Sequence, residues 1–256
     1  GRIKLYSMNG TLLLTLDHNS DATQAFIIGP DFTITQKIIA QPAFTEKADG
    51  NSFYHEGKLY QLRVNDDELA LSATSLAAGS LIKTYRVTKN DSITFKNSPL
   101  ISQTGAGNVR ELRDTKRFLR RLSGADPALN VYHTPDDILI TAGGVRSVMP
   151  AANIIAGVTI GAVAIAAGGD GSAIGVLGDG SELQTLCFES LFDENFEHEP
   201  YQQMRLASDY MGEFSARSGT LFGSSMTPFQ DYFIMGYYDT KSGQYVMRSF
   251  RDDAAR

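Results

Sequence analysis

Residues 52–95 constrain the fold more than any other part of the chain, because short runs of alternating side chains recur there between closely spaced turn residues. Alternation with a period of two is the mark of a strand whose faces see different surroundings. Phe53-Tyr54 turns at Glu56-Gly57 into Lys58–Val64, where Tyr60, Leu62 and Val64 fall on one face. The turn Asn65-Asp66-Asp67 leads to Glu68–Ser75, Ala77-Ala78-Gly79 leads to Leu81–Val87, and Lys89-Asn90-Asp91 leads to Ile93-Thr94-Phe95. Turns this short join neighbouring antiparallel strands, so the segment predicts a meander and the chain a mainly β class.

Four strands in about 40 residues is the size of one propeller blade. A short internal echo adds to this, since Ile3-Lys4-Leu5-Tyr6 matches Ile82-Lys83-Thr84-Tyr85. If Ile82–Tyr85 closes a blade, the chain begins at the last strand of another, and strands near 11–17, 24–28 and 31–39 fill the interval. The fold expected is therefore β-propeller-like or another antiparallel meander, with a sandwich or an irregular β fold left open.

The middle of the chain breaks the strand pattern. In residues 108–122, Val109, Leu112, Leu119 and Leu122 lie at helical spacing, with Asn108 as N-cap and Gly124 as stop, which predicts an amphipathic helix. Leu129–Tyr132 and Ile138–Thr141 read as a strand pair, and Leu183–Leu191 resumes a strand. A second amphipathic helix is expected over 201–214, with Met204, Ala207, Met211 and Phe214 on one face. Tyr232–Tyr238 and Gln244–Phe250 flank a five-residue turn and close the chain as a hairpin. No strong linker divides these parts, so residues 1–256 read as one β-rich domain, with an alternative boundary near 103–108. The chain opens without Met, directly in a strand-like run, which suggests that it is the C-terminal part of a longer one.

Residues 147–181 form a glycine-rich insertion, and its stretch 151–168, AANIIAGVTIGAVAIAAG, carries no charge. Three readings stand beside one another. A membrane-spanning helix would be at the lower limit of length, with Gly157 and Gly161 spaced for close packing. A buried strand or hairpin suits the Val, Ile and Thr content. An exposed apolar loop would mark a contact with a protein partner or a membrane surface, made by Ile154, Ile155, Val158, Ile160, Val163 and Ile165.

Composition narrows the partners. With 42% apolar residues, 20% charged residues and a net charge of -6, the chain is an ordinary globular protein, and nucleic acid is not favoured. The expected helix 108–122 is nevertheless locally basic, and Arg110, Arg113, Arg117, Arg120 and Arg121 offer a surface for an anionic partner. Residues 182–199, rich in Glu and Asp and without Lys or Arg, are an intramolecular alternative for that face. The single cysteine, Cys187, excludes an internal disulfide and reads as a small buried hydrophobe.

No reaction is written in the residues. Ser80-Leu81-Ile82-Lys83 with Lys241-Ser242-Gly243 resembles elements of penicillin-binding enzymes. Ser80 opens a strand, however, where residues three apart point to opposite faces. The four histidines, His18, His55, His133 and His198, show no metal-ligand spacing, and the glycine-rich turns at 168–171 and 178–180 lack the ligand set of a calcium loop. No catalytic residue, metal or cofactor is assigned. The alternative to a binding protein is a hydrolase of an envelope polymer using loop carboxylates such as Asp136, Asp137, Asp193 and Glu194.

Taken together, the meander Phe53–Phe95, the helix before Tyr132, the glycine-rich interruption, the phrase Phe188–Phe196 and the closing Tyr232–Phe250 hairpin resemble a family of β-propeller-like proteins of bacterial envelopes that has no assigned activity. The resemblance implies a repeat-like β scaffold and a periplasmic or outer-membrane-associated location. The function expected is a non-enzymatic binding or scaffold protein of a cell-envelope assembly, contacting a protein partner or the membrane surface through the insertion.

Overall fold

The computed structural model describes residues 2–19, 21–104, 109–134, 137–148, 182–200, 205–218, 222–229 and 232–253. Within them the protein is mainly β, with sixteen strands in four antiparallel sheets and two helices, and no closed barrel or propeller is identified. The first sheet holds β1 (Ile3–Met8), β2 (Thr11–Asn19), β3 (Ala22–Ile28) and β4 (Ile34–Ala40) in chain order. The second holds β5 (Asp49–His55), β6 (Lys58–Val64), β7 (Glu68–Ser75) and β8 (Leu81–Thr88), again in chain order. Matching two-residue turns start both: Asn9-Gly10 at φ 43° and 81°, and Glu56-Gly57 at φ 44° and 81°. Such turns twist the hairpin as the strands require, and they demand positive φ at both positions.

The third sheet has a different plan. It contains β9 (Leu100–Thr104), β10 (Arg110–Leu112), β11 (Asp126–His133), β12 (Ile138–Val148) and β13 (Glu182–Phe192) in the order β10-β9-β13-β12-β11. Helix α1 (Thr115–Leu122) packs on it. Gly143 lets β12 approach β13, since a Cβ there would fall 1.8 Å from the Leu186 carbonyl oxygen. Helix α2 (Ala207–Ser218) and a fourth sheet of β14 (Phe222–Phe229), β15 (Tyr232–Asp239) and β16 (Gln244–Phe250) follow.

Several expectations are corrected. The helix expected over 108–122 runs only over Thr115–Leu122: Arg110–Leu112 is a strand, Val109 is exposed, and the N-cap is Asp114, whose side chain accepts from the Arg117 amide. Asn108 lies outside the described residues. The second helix, expected over 201–214, runs over Ala207–Ser218 among the described residues, with residues 201–204 outside them, and Ile93-Thr94-Phe95 is a turn whose Ile93 and Phe95 are buried, not a fifth meander strand. The Ile3–Tyr6 echo does not mark equivalent places, because β1 heads its own meander while β8 ends the second.

The second sheet is the middle layer of a stack. Along β6, Tyr60, Leu62 and Val64 join Leu69, Leu71 and Ala73 in packing against Leu129, Val131, Phe188, Phe192 and Phe196 from the third-sheet side. The other face meets the first sheet, where Leu59 and Leu76 touch Leu13, Ala25 and Ile39. This second interface also buries Thr15, Asp17, Thr23, Gln41, Ser52, Gln61, Arg63 and Ser72. Its centre is the fully buried side chain of Asp17, which accepts from the Ser52 amide at 2.8 Å, the Ser52 hydroxyl at 2.9 Å and the Thr23 hydroxyl at 2.7 Å, with Lys4 Nζ 3.9 Å away.

Candidate functional site

The outer face of the first sheet is built from directly paired residues, which point to one side of adjacent strands. Ile3 pairs with Leu16 and Leu5 with Leu14; Leu14 pairs with Phe26 and Leu12 with Ile28; Ile28 pairs with Ile34. Ile38 lies opposite Gln24 on the same face. Ile3 is 67% exposed, Leu5 62%, Ile34 64% and Ile38 69%, values far from those of a covered sheet. Phe32, at φ 63° in the β3–β4 turn and 86% exposed, extends the surface. No charged residue interrupts this face. Lys37 points the other way and donates to the carbonyls of Leu76 and Ala77 at 2.7 Å. Ser7, Gln24 and Gln36 are the polar members of the face, yet soluble monomers seldom leave this much uncharged, largely apolar surface in water.

The residues singled out in the sequence fare differently. Ile154, Ile155, Val158, Ile160, Val163 and Ile165 lie outside the described residues, as do most of 147–181. The flanks are paired as far as Val148 with Glu182, so the insertion leaves and rejoins the sheet at adjacent positions. Among the described residues no helix is long and apolar enough to cross a membrane. The basic set is divided: Arg110 is on β10, Arg113 is in the bend after it, and Arg117, Arg120 and Arg121 are on α1. Arg117 pairs with its own cap Asp114 at 3.5 Å, and Arg121 donates to the Ser102 hydroxyl at 3.3 Å. Among the described residues no ion pair joins α1 to 182–199; Glu197 instead pairs with Lys83.

Two histidines that sequence spacing left apart are brought together. His55 ends β5, Glu56 is the first residue of the β5–β6 turn, and His133 ends β11, which packs against β5. Glu56 Oε2 lies 3.8 Å from His55 Nε2 and 3.8 Å from His133 Nδ1. The ligand-capable atoms of all three residues lie within 4.8 Å of one another. His55 Nε2 is buried without a hydrogen-bond partner. Burial lowers the His55 pKa, the Glu56 charge opposes that, and His133 and Lys58 lower it further. His55 and Glu56 open on a groove lined by Tyr6, Ser7, Met8, Asn9 and Tyr54.

Carboxylates make a weaker case. Asp193 accepts from the amides of Asn195 and Glu197 at 2.9 and 2.7 Å, so it serves as a turn cap, and Glu194 is exposed. Asp136 lies outside the described residues, and Asp137 forms the β11–β12 turn with Thr134. A small cavity of about 60 Å³ between the third sheet and α2 is lined by Tyr132, Glu189, Asp209 and Asp252. Glu189 has its pKa raised there by burial and then by Asp209. The space suits a few waters and not a sugar or peptide unit. Cys187 is partly buried, and burial pushes its thiol up to about 12, so it is no nucleophile at neutral pH.

Compared with family models, with curated proteins and with solved structures, the chain matches none.

Proposed function

We propose that the protein is a non-enzymatic binding or scaffold protein whose main docking surface is the outer face of the first sheet. The observation that carries this reading is the uncharged run of Ile3, Leu5, Leu14, Phe26, Ile34 and Ile38 facing solvent. The occupant that suits it is a second copy of the chain, laid sheet against sheet. A face with no charge offers nothing to steer a charged partner, and it is complementary to itself under a two-fold axis. Four strands about 4.8 Å apart and about 20 Å long give a footprint of about 400 Å². A stable interface buries about 800 Å² per partner, so the side-chain relief of this face and the turn that carries Phe32 must add to that footprint. Within this reading the four-stranded meanders stack face to face as propeller blades do, a β-propeller-like array. The envelope location and a contact through residues 147–181 belong to the same proposal.

Light scattering after gel filtration tests it. The wild-type chain should run as a dimer at micromolar concentration, and Leu5→Glu combined with Ile38→Glu should give a folded monomer. A wild-type monomer throughout that range would sink the idea. Deleting residues 151–180 should then abolish co-purification with an envelope protein or membrane fraction; unchanged co-purification would remove the insertion from the contact.

A further inference from the structure

We infer that His55, Glu56 and His133 bind a divalent transition metal ion of the zinc class, joining the turn of the second sheet to the end of β11 in the third. Two imidazole nitrogens and one carboxylate oxygen are the donor set that such ions take, at about 2.0–2.2 Å per bond. A tetrahedral centre with those bonds needs donor atoms about 3.4 Å apart. The two distances from Glu56 Oε2, at 3.8 Å each, exceed that by a few tenths of an ångström. The third edge, between the imidazoles, closes by a turn of the exposed His133 and Glu56 side chains.

Three further observations point to a ligand. His55 Nε2 is buried and unpartnered, which costs free energy unless something accepts its lone pair or proton. The His133 ring, 6.1 Å from that of His55 by centroid, brings a second nitrogen donor to the same carboxylate. Glu56 holds φ 44°, a region unfavourable to a non-glycine residue, in a turn where Asn or Gly is at ease. A carboxylate kept there against that cost sits beside its own neighbour's imidazole, where it completes a donor set. His55 and Glu56 also line the groove beside Tyr6, Asn9 and Tyr54, and His133 and Glu56 are exposed, so a fourth donor can come from water.

Titration of the chelator-treated chain with Zn²⁺, followed by calorimetry, should show one saturable site. Co²⁺ should give the intense visible absorption of a four-coordinate centre, and anaerobic Fe²⁺ should bind more weakly, as the affinity order predicts. His133→Ala and His55→Ala should each lower affinity about 100-fold or more, and Glu56→Gln about tenfold. Circular dichroism reports that each variant is folded, and His133→Ala, altering an exposed residue, keeps the test valid if His55→Ala misfolds. Absence of a saturable Zn²⁺ site overturns the inference, as does wild-type affinity in His133→Ala. His18→Ala is the control and should bind as wild type.

Discussion

The middle sheet meets its two neighbours through opposite chemistry. On the third-sheet side, Tyr60 and Tyr85 stack with Phe192 and Phe196, and Phe118 and Phe95 meet Phe188, in one continuous apolar core. On the first-sheet side a small apolar patch, with Tyr6 and Tyr54 at its edge, is ringed by hydroxyls, amides and the Lys4–Asp17 pair. Both interfaces exclude water, but for different reasons. Apolar packing is non-directional and tolerates small shifts between layers. A buried carboxylate with three donors fixes one arrangement and penalises every other, because a lost partner leaves a desolvated group behind. The first sheet is therefore placed on the second by direction more than by area.

The largest effect should come from emptying the apolar side. Phe192 is fully buried, 4.4 Å from the Phe196 ring and 5.2 Å from Tyr85 by centroid. Phe192→Ala should cost about 4 kcal/mol in urea unfolding, the sum of lost transfer energy and a cavity. A loss below about 1 kcal/mol would mean that the aromatic cluster collapses to fill the space, and that this interface is not the main source of stability.

On the polar side, Asp17→Ala should cost about 3 kcal/mol, since it strands the Ser52 amide and the Ser52 and Thr23 hydroxyls and leaves Lys4, which keeps its bonds to Asn51 and the Ser52 carbonyl, without its counter-charge. Replacing Lys4 and Asp17 together with Met and Leu should cost clearly less than the two single changes added, because the double change removes both ends of the charge pair. Additive costs in that cycle would show that Asp17 acts through its hydroxyl and amide donors alone.

The strands were legible because their period is two and their turns carry Gly, Asn and Asp; β6, β7 and the closing hairpin fall where alternation puts them. Layer order was not. Gln61 and Arg63 alternate with Leu62 and Val64 as a solvent-facing row would, yet they are buried against the first sheet, with Arg63 donating to the Pro42 carbonyl and the Asp21 carboxylate. Only the fold supplies those partners. β2 carried a different signal: Leu12-Leu13-Leu14-Thr15-Leu16 keeps both faces apolar, yet one face meets the second sheet and the other is the solvent-facing surface of the first. Val109 and Leu112 matched helical spacing by coincidence, whereas Asp114-Thr115 was the true start. The His55 and His133 pairing had no sequence signal, because it depends on β11 crossing the end of β5.

Lys4 offers the finest separation of the two interfaces, because it is a buried titratable group that belongs to the polar one. Burial lowers its pKa from the ordinary 10.5 to about 8, against the pull of Asp17. In the folded chain the proton leaves near pH 8, and in the unfolded chain it stays until near 10.5. Between those values unfolding takes up a proton, so this group makes stability rise with pH, by about 1.4 kcal/mol at pH 9 relative to pH 7. Tyr6, whose pKa burial raises to about 12, acts in the opposite sense above pH 10, so the comparison belongs at pH 9 and below. Lys4→Met should remove the rise, which the difference between its urea stability curve and that of the wild type from pH 7 to 9 would show. The same pair of curves measured on a Phe192→Ala background should keep its shape, because the apolar interface holds no part of that proton. A flattened difference there would mean that the two faces of the middle sheet are coupled through the strands between them.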